Sequence, residues 1–173
     1  MDSEELRTVQ APLKARYRNA PEAALVTLSA QGRVDQTHVA CKVQTGRALV
    51  TAGLHPATGG SGLQACSGDM LLEALAACAG VTLKAVATSI GVRLRDAVVH
   101  AEGDIDFRGT LGVERDVAVG FQAIRVRFEI DADASQPEID RLVELTERYC
   151  VVFQSLNVRP ELSMHAQPTP GTV

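Results

Sequence analysis

One long apolar segment constrains the fold of this chain more than any other part. Residues 69–90 form a helical stretch that is apolar on nearly every side and carries only Glu73 and Lys84 as charges in its interior. A helix that is apolar all round packs inside a protein rather than on its surface. The sequence therefore predicts a buried central helix, with Ser67 as its N-cap and Gly91 as the residue that stops it.

Short apolar and β-branched runs flank this helix and predict strands on both sides of it. The predicted strands cover residues 23–28, 38–44, 48–51, 92–99, 100–107, 121–130 and 159–165, with turns at 31–33 and 45–47. A second helix is predicted from the cap residue Ser135 to about Tyr149. Grouped strands and segregated helices indicate the α+β class, with the early strands as an antiparallel meander.

Length and composition limit the organisation and the partners of the chain. Its 173 residues suit one domain, which we place at 21–166 between an N-terminal arm, 1–20, and a C-terminal tail, 167–173. A net charge of −4 with no basic tract argues against a nucleic-acid partner. The sequence shows neither a secretory signal nor an uncharged apolar run of about 18 residues, so we expect a cytoplasmic protein that does not enter a membrane.

The four cysteines are therefore not expected to be structural disulfides, because the cytoplasm is reducing. Their spacing contains no C-x-x-C, and zinc would need ligands gathered from distant positions such as His38 and His55, so we predict no metal. The remaining interpretations are inert core thiols and redox groups. Cys41, inside a predicted strand, is best interpreted as a core thiol.

Three cysteines are candidates for reactive thiols. Cys66 comes just before the central helix, where a helix N-terminus stabilises a thiolate. An intact helix holds Cys66 about 18 Å from Cys78, too far for a disulfide. Cys78 lies in an apolar helix, where a thiol that only fills space is the simpler interpretation. Cys150 ends the second helix, a junction where a thiol is more easily reached.

Two motifs resemble those of a known family. The sequence Asp-Met-Leu-Leu-Glu-Ala-Leu-Ala-Ala-Cys-Ala-Gly-Val-Thr-Leu at 69–83 resembles the central-helix signature of the OsmC-like family, the osmotically inducible and organic hydroperoxide resistance proteins. The sequence Glu-Arg-Tyr-Cys at 147–150 is similar to the segment with the family's second cysteine. The resemblance covers about residues 20–166, and it implies an intertwined homodimer with antiparallel sheets around the long helix.

The resemblance also implies a chemistry. Cys78 would attack an organic hydroperoxide and become a sulfenic acid, and Cys150 would capture it as a disulfide. A dithiol reductant, lipoylated proteins among them, would restore the thiols, without a metal or organic cofactor. Asp69 stands next to the position of the acidic residue that orients an active-site arginine in the family. Arg47 is the first candidate for that arginine, followed by Arg33, Arg18 and Arg16.

Two other functions fit the same sequence. Gly68 stands where the peroxidases have glutamate, and Val151 follows the second cysteine where proline is usual. These differences would suit a non-catalytic protein that binds a hydrophobic, acyl-like ligand on the same dimeric scaffold. The third hypothesis is a redox sensor that uses Cys66.

Overall fold

The computed structural model describes residues 3–36, 41–43 and 52–168 of the chain, and its architecture is α+β. The helices are α1 (Ser3–Asn19), α2 (Ser67–Ile90), α3 (Phe107–Thr110), α4 (Gln136–Tyr149) and α5 (Val151–Ser155). The strands are β1 (Leu25–Val34), β2 (Cys41–Val43), β3 (Ala52–Gly53), β4 (Ala65–Cys66), β5 (Arg93–Asp106), β6 (Phe121–Asp133) and β7 (Glu161–Pro168). Short 3₁₀ turns lie at Pro21–Ala24 and Pro56–Thr58.

One five-stranded sheet carries the fold, in the order β2-β1-β5-β6-β7. Its first four strands are antiparallel neighbours, whereas β7 runs parallel to β6. The prediction of antiparallel sheets is therefore wrong at this edge. It is also wrong for the small parallel pair of β3 and β4. The chain returns from β6 to β7 through α4 and α5, and a crossover of this kind lets two strands run in the same direction.

Two predicted strand boundaries are wrong because the strands are longer than local sequence suggests. The turn expected at 31–33 lies inside β1, where Gly32 pairs with Val99 of β5. The separate strands expected at 92–99 and 100–107 are one strand, β5. Pairing with β1 on one side and β6 on the other holds β5 extended throughout. The predictions for residues 45–47 and 48–51, and part of that for 38–44, lie outside the described residues.

The predicted central helix is confirmed as α2, which ends at Gly91 with φ +79°. Its N-cap is Cys66 rather than Ser67, and it makes no side-chain cap bond. One face packs against β1, β5, α4 and α5. The opposite face, which we call the open face, is exposed and uncharged and includes Met70, Leu71, Ala74, Val81 and Ala85. The prediction that α2 is buried on every side is therefore wrong within a single chain, because the sheet and the crossover helices cover only one side of this helix.

By length and composition alone, α2 could also cross a membrane. Its Leu72, Leu75 and Leu83 are fully buried within the protein core. This packing accounts for the high hydropathy of α2 as the core helix of the domain.

The predicted second helix is confirmed as α4, which begins with a capping box between Ser135 and Glu138. Its buried positions, Ile139, Leu142 and Thr146, form one stripe. The polar N-terminal segment forms α1, and the hydroxyl of Tyr17 donates a 2.7 Å hydrogen bond to the Ala57 carbonyl. The division into arm, domain and tail stays a prediction.

Candidate functional site

Cys78 lies near the middle of α2, at the border between the open face and the packed face. Positions four residues apart lie above one another on a helix, so Cys78 shares its side of α2 with Ala74 and Thr82. The Cys78 side chain is half-buried, and it packs against the hydrophobic core. It is therefore a core helix thiol with one side directed away from the sheet.

Cys150 lies at the junction of α4 and α5 and is 1% exposed. Its backbone N–H donates to the Thr146 carbonyl at 2.9 Å, and its carbonyl accepts from the Gln154 N–H at 3.0 Å. The Gln154 side chain also donates to the Glu147 carbonyl at 2.9 Å. These bonds fix the corner between the helices and the direction of the Cys150 side chain. The prediction that a helix end would leave this thiol accessible was wrong, because α5 folds back over it.

The two thiols interact directly, since the Cys78 side chain contributes to the raised pKa of Cys150. The pKa of Cys150 is raised to about 12, mainly by burial and secondarily by the neighbouring Cys78 side chain. The backbone amides of Phe153 and Val152 partly offset this rise in the pKa of Cys150. The Cys150 side chain nevertheless makes no capping hydrogen bond to α5. Cys150 therefore keeps its proton at neutral pH.

Val151 is the first residue of α5, and its side chain is exposed. The first position of a helix accepts proline because its N–H has no intrahelical partner. Valine and proline therefore suit the same backbone here, and the replacement leaves the Cys150 corner intact. The structure gives no reason to read Val151 as a loss of the site.

Cys66 is separate from this pair. It is half-buried at the N-cap of α2 and pairs through β4 with Gly53 of β3. The helix between Cys66 and Cys78 is unbroken, so the two cannot form a disulfide within one chain. The Cys41 side chain lies outside the described part of the structure.

Asp69 points away from Cys78. Nine residues of helix place it about 13 Å along the axis and about 180° around the helix from Cys78. Burial raises the pKa of Asp69, and the nearby His55 opposes that rise by its charge. His55 is held by a 3.0 Å hydrogen bond from the Ala57 N–H to its Nδ1 and by stacking on Phe107 at 5.0 Å. Sequence reasoning considered His55 only as a zinc ligand and missed this contact.

The structure brings none of the candidate arginines it describes to Cys78. Arg33 is exposed and forms an ion pair with Asp96 at the surface of the sheet. Arg16 and Arg18 are exposed on α1. Arg47 lies outside the described residues, so its role stays a prediction.

A groove of about 590 Å³ opens beside the thiol pair, between the C-terminal half of α2 and α4. It is lined by Val81, Thr82, Ala85, Val86, Ser89, Ile90, Arg141, Leu145 and Tyr149. Thr82 lies one helical turn after Cys78, and Tyr149 immediately precedes Cys150. The groove therefore lies next to the thiol pair, although neither cysteine lines it. Among the described side chains, no cluster of His, Cys, Asp and Glu could hold a metal ion.

The fold and this pair of thiols define a class of protein: an α+β domain in which a core-helix cysteine contacts a second cysteine at a helix junction. The model of the OsmC-like protein family matches residues 60–165, which is more than half of the sequence. The chain belongs to the OsmC-like family.

Solved structures agree with this fold. An OsmC-like protein from Mycoplasma pneumoniae is 14% identical with a TM-score of 0.55, over 84% of this chain and 96% of that one. The organic hydroperoxide resistance protein OsmC from Legionella pneumophila is 15% identical with a TM-score of 0.52, over 82% and 96%. A hypothetical protein from Aquifex aeolicus is 14% identical with a TM-score of 0.54, over 84% and 98%. No curated protein matches the chain significantly.

Proposed function

We propose that this protein is a two-cysteine thiol peroxidase that reduces organic hydroperoxides in defence against oxidative stress. The observation that carries the proposal is the interaction between the side chains of Cys78 and Cys150, two thiols that the fold brings together from separate segments. Membership in a family whose relatives include a protein named for organic hydroperoxide resistance supports the substrate class. We place the reaction in the cytoplasm, where both thiols are kept reduced.

The proposed reaction uses both thiols in sequence. The Cys78 thiolate attacks the terminal oxygen of the hydroperoxide, the O–O bond breaks, and an alcohol leaves as Cys78 becomes a sulfenic acid. The Cys150 sulfur then attacks the Cys78 sulfur, the S–O bond breaks, and water leaves as the disulfide forms. A dithiol, such as a lipoylated protein, reduces the disulfide and is itself oxidised. The contact between the thiols supports this sequence because capture needs no long movement.

The groove supports the proposal that the substrate is hydrophobic. Val81, Ala85 and Leu145 contribute apolar surface along it, and its lining residue Thr82 lies one helical turn after Cys78. An alkyl chain in the groove would place its hydroperoxide end near Cys78. We propose Arg47 as the cation that favours the Cys78 thiolate, because Arg33, Arg16 and Arg18 are directed to solvent or to other partners. The position of Asp69 gives its proposed orienting role no geometric support.

We also propose a homodimer that forms through the N-terminal part of the open face of α2. Met70 and Leu71 are each 38% exposed there, and burying them would remove apolar area from water. Leu71→Glu is expected to shift the protein from dimer to monomer in light scattering, whereas Gln122→Glu, on the exposed side of β6, should leave the dimer intact. A monomeric wild-type protein would contradict the proposal.

The decisive experiment for the enzyme is consumption of cumene hydroperoxide by the purified protein with a dithiol. Wild type and Cys66→Ser are expected to turn over, and Cys78→Ser is expected to lose the activity. Mapping of the peroxide-treated protein without reduction should find a disulfide between Cys78 and Cys150. Full activity in Cys78→Ser would overturn the proposal.

The groove also supports a second candidate function, which is the binding of a hydrophobic, acyl-like ligand without catalysis. Its volume of about 590 Å³ and its apolar lining would accept an acyl chain. Wild-type protein that consumes no hydroperoxide, but that carries bound fatty acid after purification, would favour this function.

A further inference from the structure

The groove beside the thiol pair has a defined direction, because α2 and α4 run antiparallel along it. Cys150, which follows α4, interacts with Cys78 in the middle of α2. The groove lining comes from residues 81–90 of α2, which follow Cys78, and from residues 141–149 of α4, which precede Cys150. Moving away from the thiols therefore means moving forward along α2 and backward along α4. Arg141 consequently lies at the far end of the groove, about 13.5 Å along α4 from Cys150.

The walls of this groove are apolar, and one cation lies at its far end. The walls are formed by aliphatic side chains of both helices: Val81, Ala85, Val86, Ile90 and Leu145. Arg141 carries the only charge among the described residues that line the groove. One cation at the end of an apolar groove is complementary to a ligand that has one negative charge at the end of an apolar chain.

The guanidinium of Arg141 keeps hydrogen-bond donors for such a ligand. Its Nη1 donates to Oε2 of Glu144 at 2.8 Å, which uses one of the N–H groups of the side chain. Both side chains of this pair are more than half exposed, so their ion pair contributes little to stability. A ligand carboxylate can therefore join or replace Glu144, and it can accept two parallel hydrogen bonds from the guanidinium.

The surroundings of Arg141 favour a carboxylate over a phosphate as the charged group of the ligand. The far end of the groove lies at the C-terminus of α2, where the helix dipole is negative and disfavours anions. The Glu144 carboxylate adds another negative charge beside the guanidinium. A phosphate monoester carries about two negative charges at neutral pH, which one arginine does not compensate in this setting. A carboxylate carries a single charge and matches the planar guanidinium.

We propose that the groove binds the anion of a fatty acid, with the carboxylate on Arg141 and the alkyl chain along the aliphatic walls. This inference rests on the proposed use of the groove for an acyl chain, and it adds the charged group and the residue that recognises it. The lining extends over residues 81–90 of α2, about 13.5 Å of helix. This length and the volume of about 590 Å³ suit the chain of decanoate, whose burial removes apolar area from water.

The test measures binding of decanoate to the full-length, reduced protein by isothermal titration calorimetry, without hydroperoxide. Decanol, which has the same chain without the charge, is the reference ligand. Arg141→Gln is expected to weaken decanoate binding about tenfold and to leave decanol binding unchanged. Arg159→Gln is the matched control, because Arg159 forms an ion pair with Glu147 at 2.6 Å but does not line the groove. It should bind both ligands like wild type.

A second pair of variants tests the location of the chain. Ala85→Phe fills the groove at the middle of its α2 wall and should abolish binding of both ligands. Thr88→Phe, at an exposed position of the same helix outside the lining, should bind both like wild type. Decanoate binding that survives Ala85→Phe would place the ligand elsewhere and overturn the inference.

Three further outcomes would overturn the inference. Decanoate and decanol might lose affinity equally in Arg141→Gln, which would leave acyl binding in place without recognition of the carboxylate. Wild type that binds neither ligand would remove acyl binding as well, whereas the peroxidase proposal stands or falls by hydroperoxide consumption. Sedimentation of the protein with phosphatidylglycerol vesicles, without binding of monomeric decanoate, would indicate an anionic membrane surface as the partner instead.

Discussion

The Cys150 side chain interacts with Cys78 where the corner of α4 and α5 meets the middle of α2. Burial, and after it the neighbouring Cys78 side chain, raise the pKa of Cys150 and keep its proton in place at neutral pH. In the proposed reaction Cys150 therefore gives up this proton as it attacks the sulfenic acid of Cys78, whose oxygen leaves as water.

Replacing Cys150 should separate the two halves of the reaction. In Cys150→Ser, Cys78 still meets hydroperoxide, but no neighbouring thiol captures the sulfenic acid. We expect a single fast turnover, a dimedone-reactive Cys78 detected by mass spectrometry, and loss of most steady-state turnover with a dithiol. Cys66→Ser serves as the control, because Cys66 lies outside the pair. Unchanged steady-state turnover in Cys150→Ser would contradict the resolving role.

Stability should decrease at alkaline pH because of Cys150. Below about pH 9 the thiol is protonated in both the folded and the unfolded chain, and it adds no pH dependence. Between about pH 9 and about pH 12 the unfolded thiol loses its proton while the folded one keeps it, so the free energy of unfolding falls. Urea unfolding at pH 8 and pH 10 should show a smaller loss for Cys150→Ala than for wild type. Equal losses would show that Cys150 does not carry the effect.

The serines at the starts of the two long helices should differ in their effects on stability when replaced by alanine. Ser135 takes part in the capping box of α4, so Ser135→Ala is expected to lower the free energy of unfolding by about 1 kcal/mol. Ser67 is already inside α2 and is not its cap, so Ser67→Ala should change stability by less than about 0.5 kcal/mol. Chemical denaturation measures both. A larger loss for Ser67→Ala would show that the cap lies where the sequence placed it.

Tyr17 should anchor α1 to the turn that carries His55. Tyr17→Phe removes the hydrogen bond to the Ala57 carbonyl and is expected to cost about 1 kcal/mol. Hydrogen exchange should become faster in α1 and in the turn Pro56–Thr58, while α4 keeps its protection. Tyr149→Phe, at an exposed tyrosine, is the control. Unchanged exchange in α1 would show that other contacts hold this helix.

The sequence by itself determined the elements whose signals are local. The apolar run that became α2, the stop at Gly91 and the capping box at Ser135 are all properties of a few neighbouring residues. The sequence also indicated the family, because the motifs at 69–83 and 147–150, which contain Cys78 and Cys150, can each be read from neighbouring residues.

Only the tertiary structure decided the features that depend on residues far apart in the chain. Pairing with β1 and β6 made β5 one strand, and the crossover through α4 and α5 made β7 parallel to β6. The same crossover buried Cys150, although its position at a helix end suggested exposure. Helix geometry turned Asp69 away from Cys78 and towards His55. Hydrophobic patterns and caps are encoded locally, whereas strand pairing, burial of a thiol and its proton affinity arise from contacts that form only when distant segments pack together.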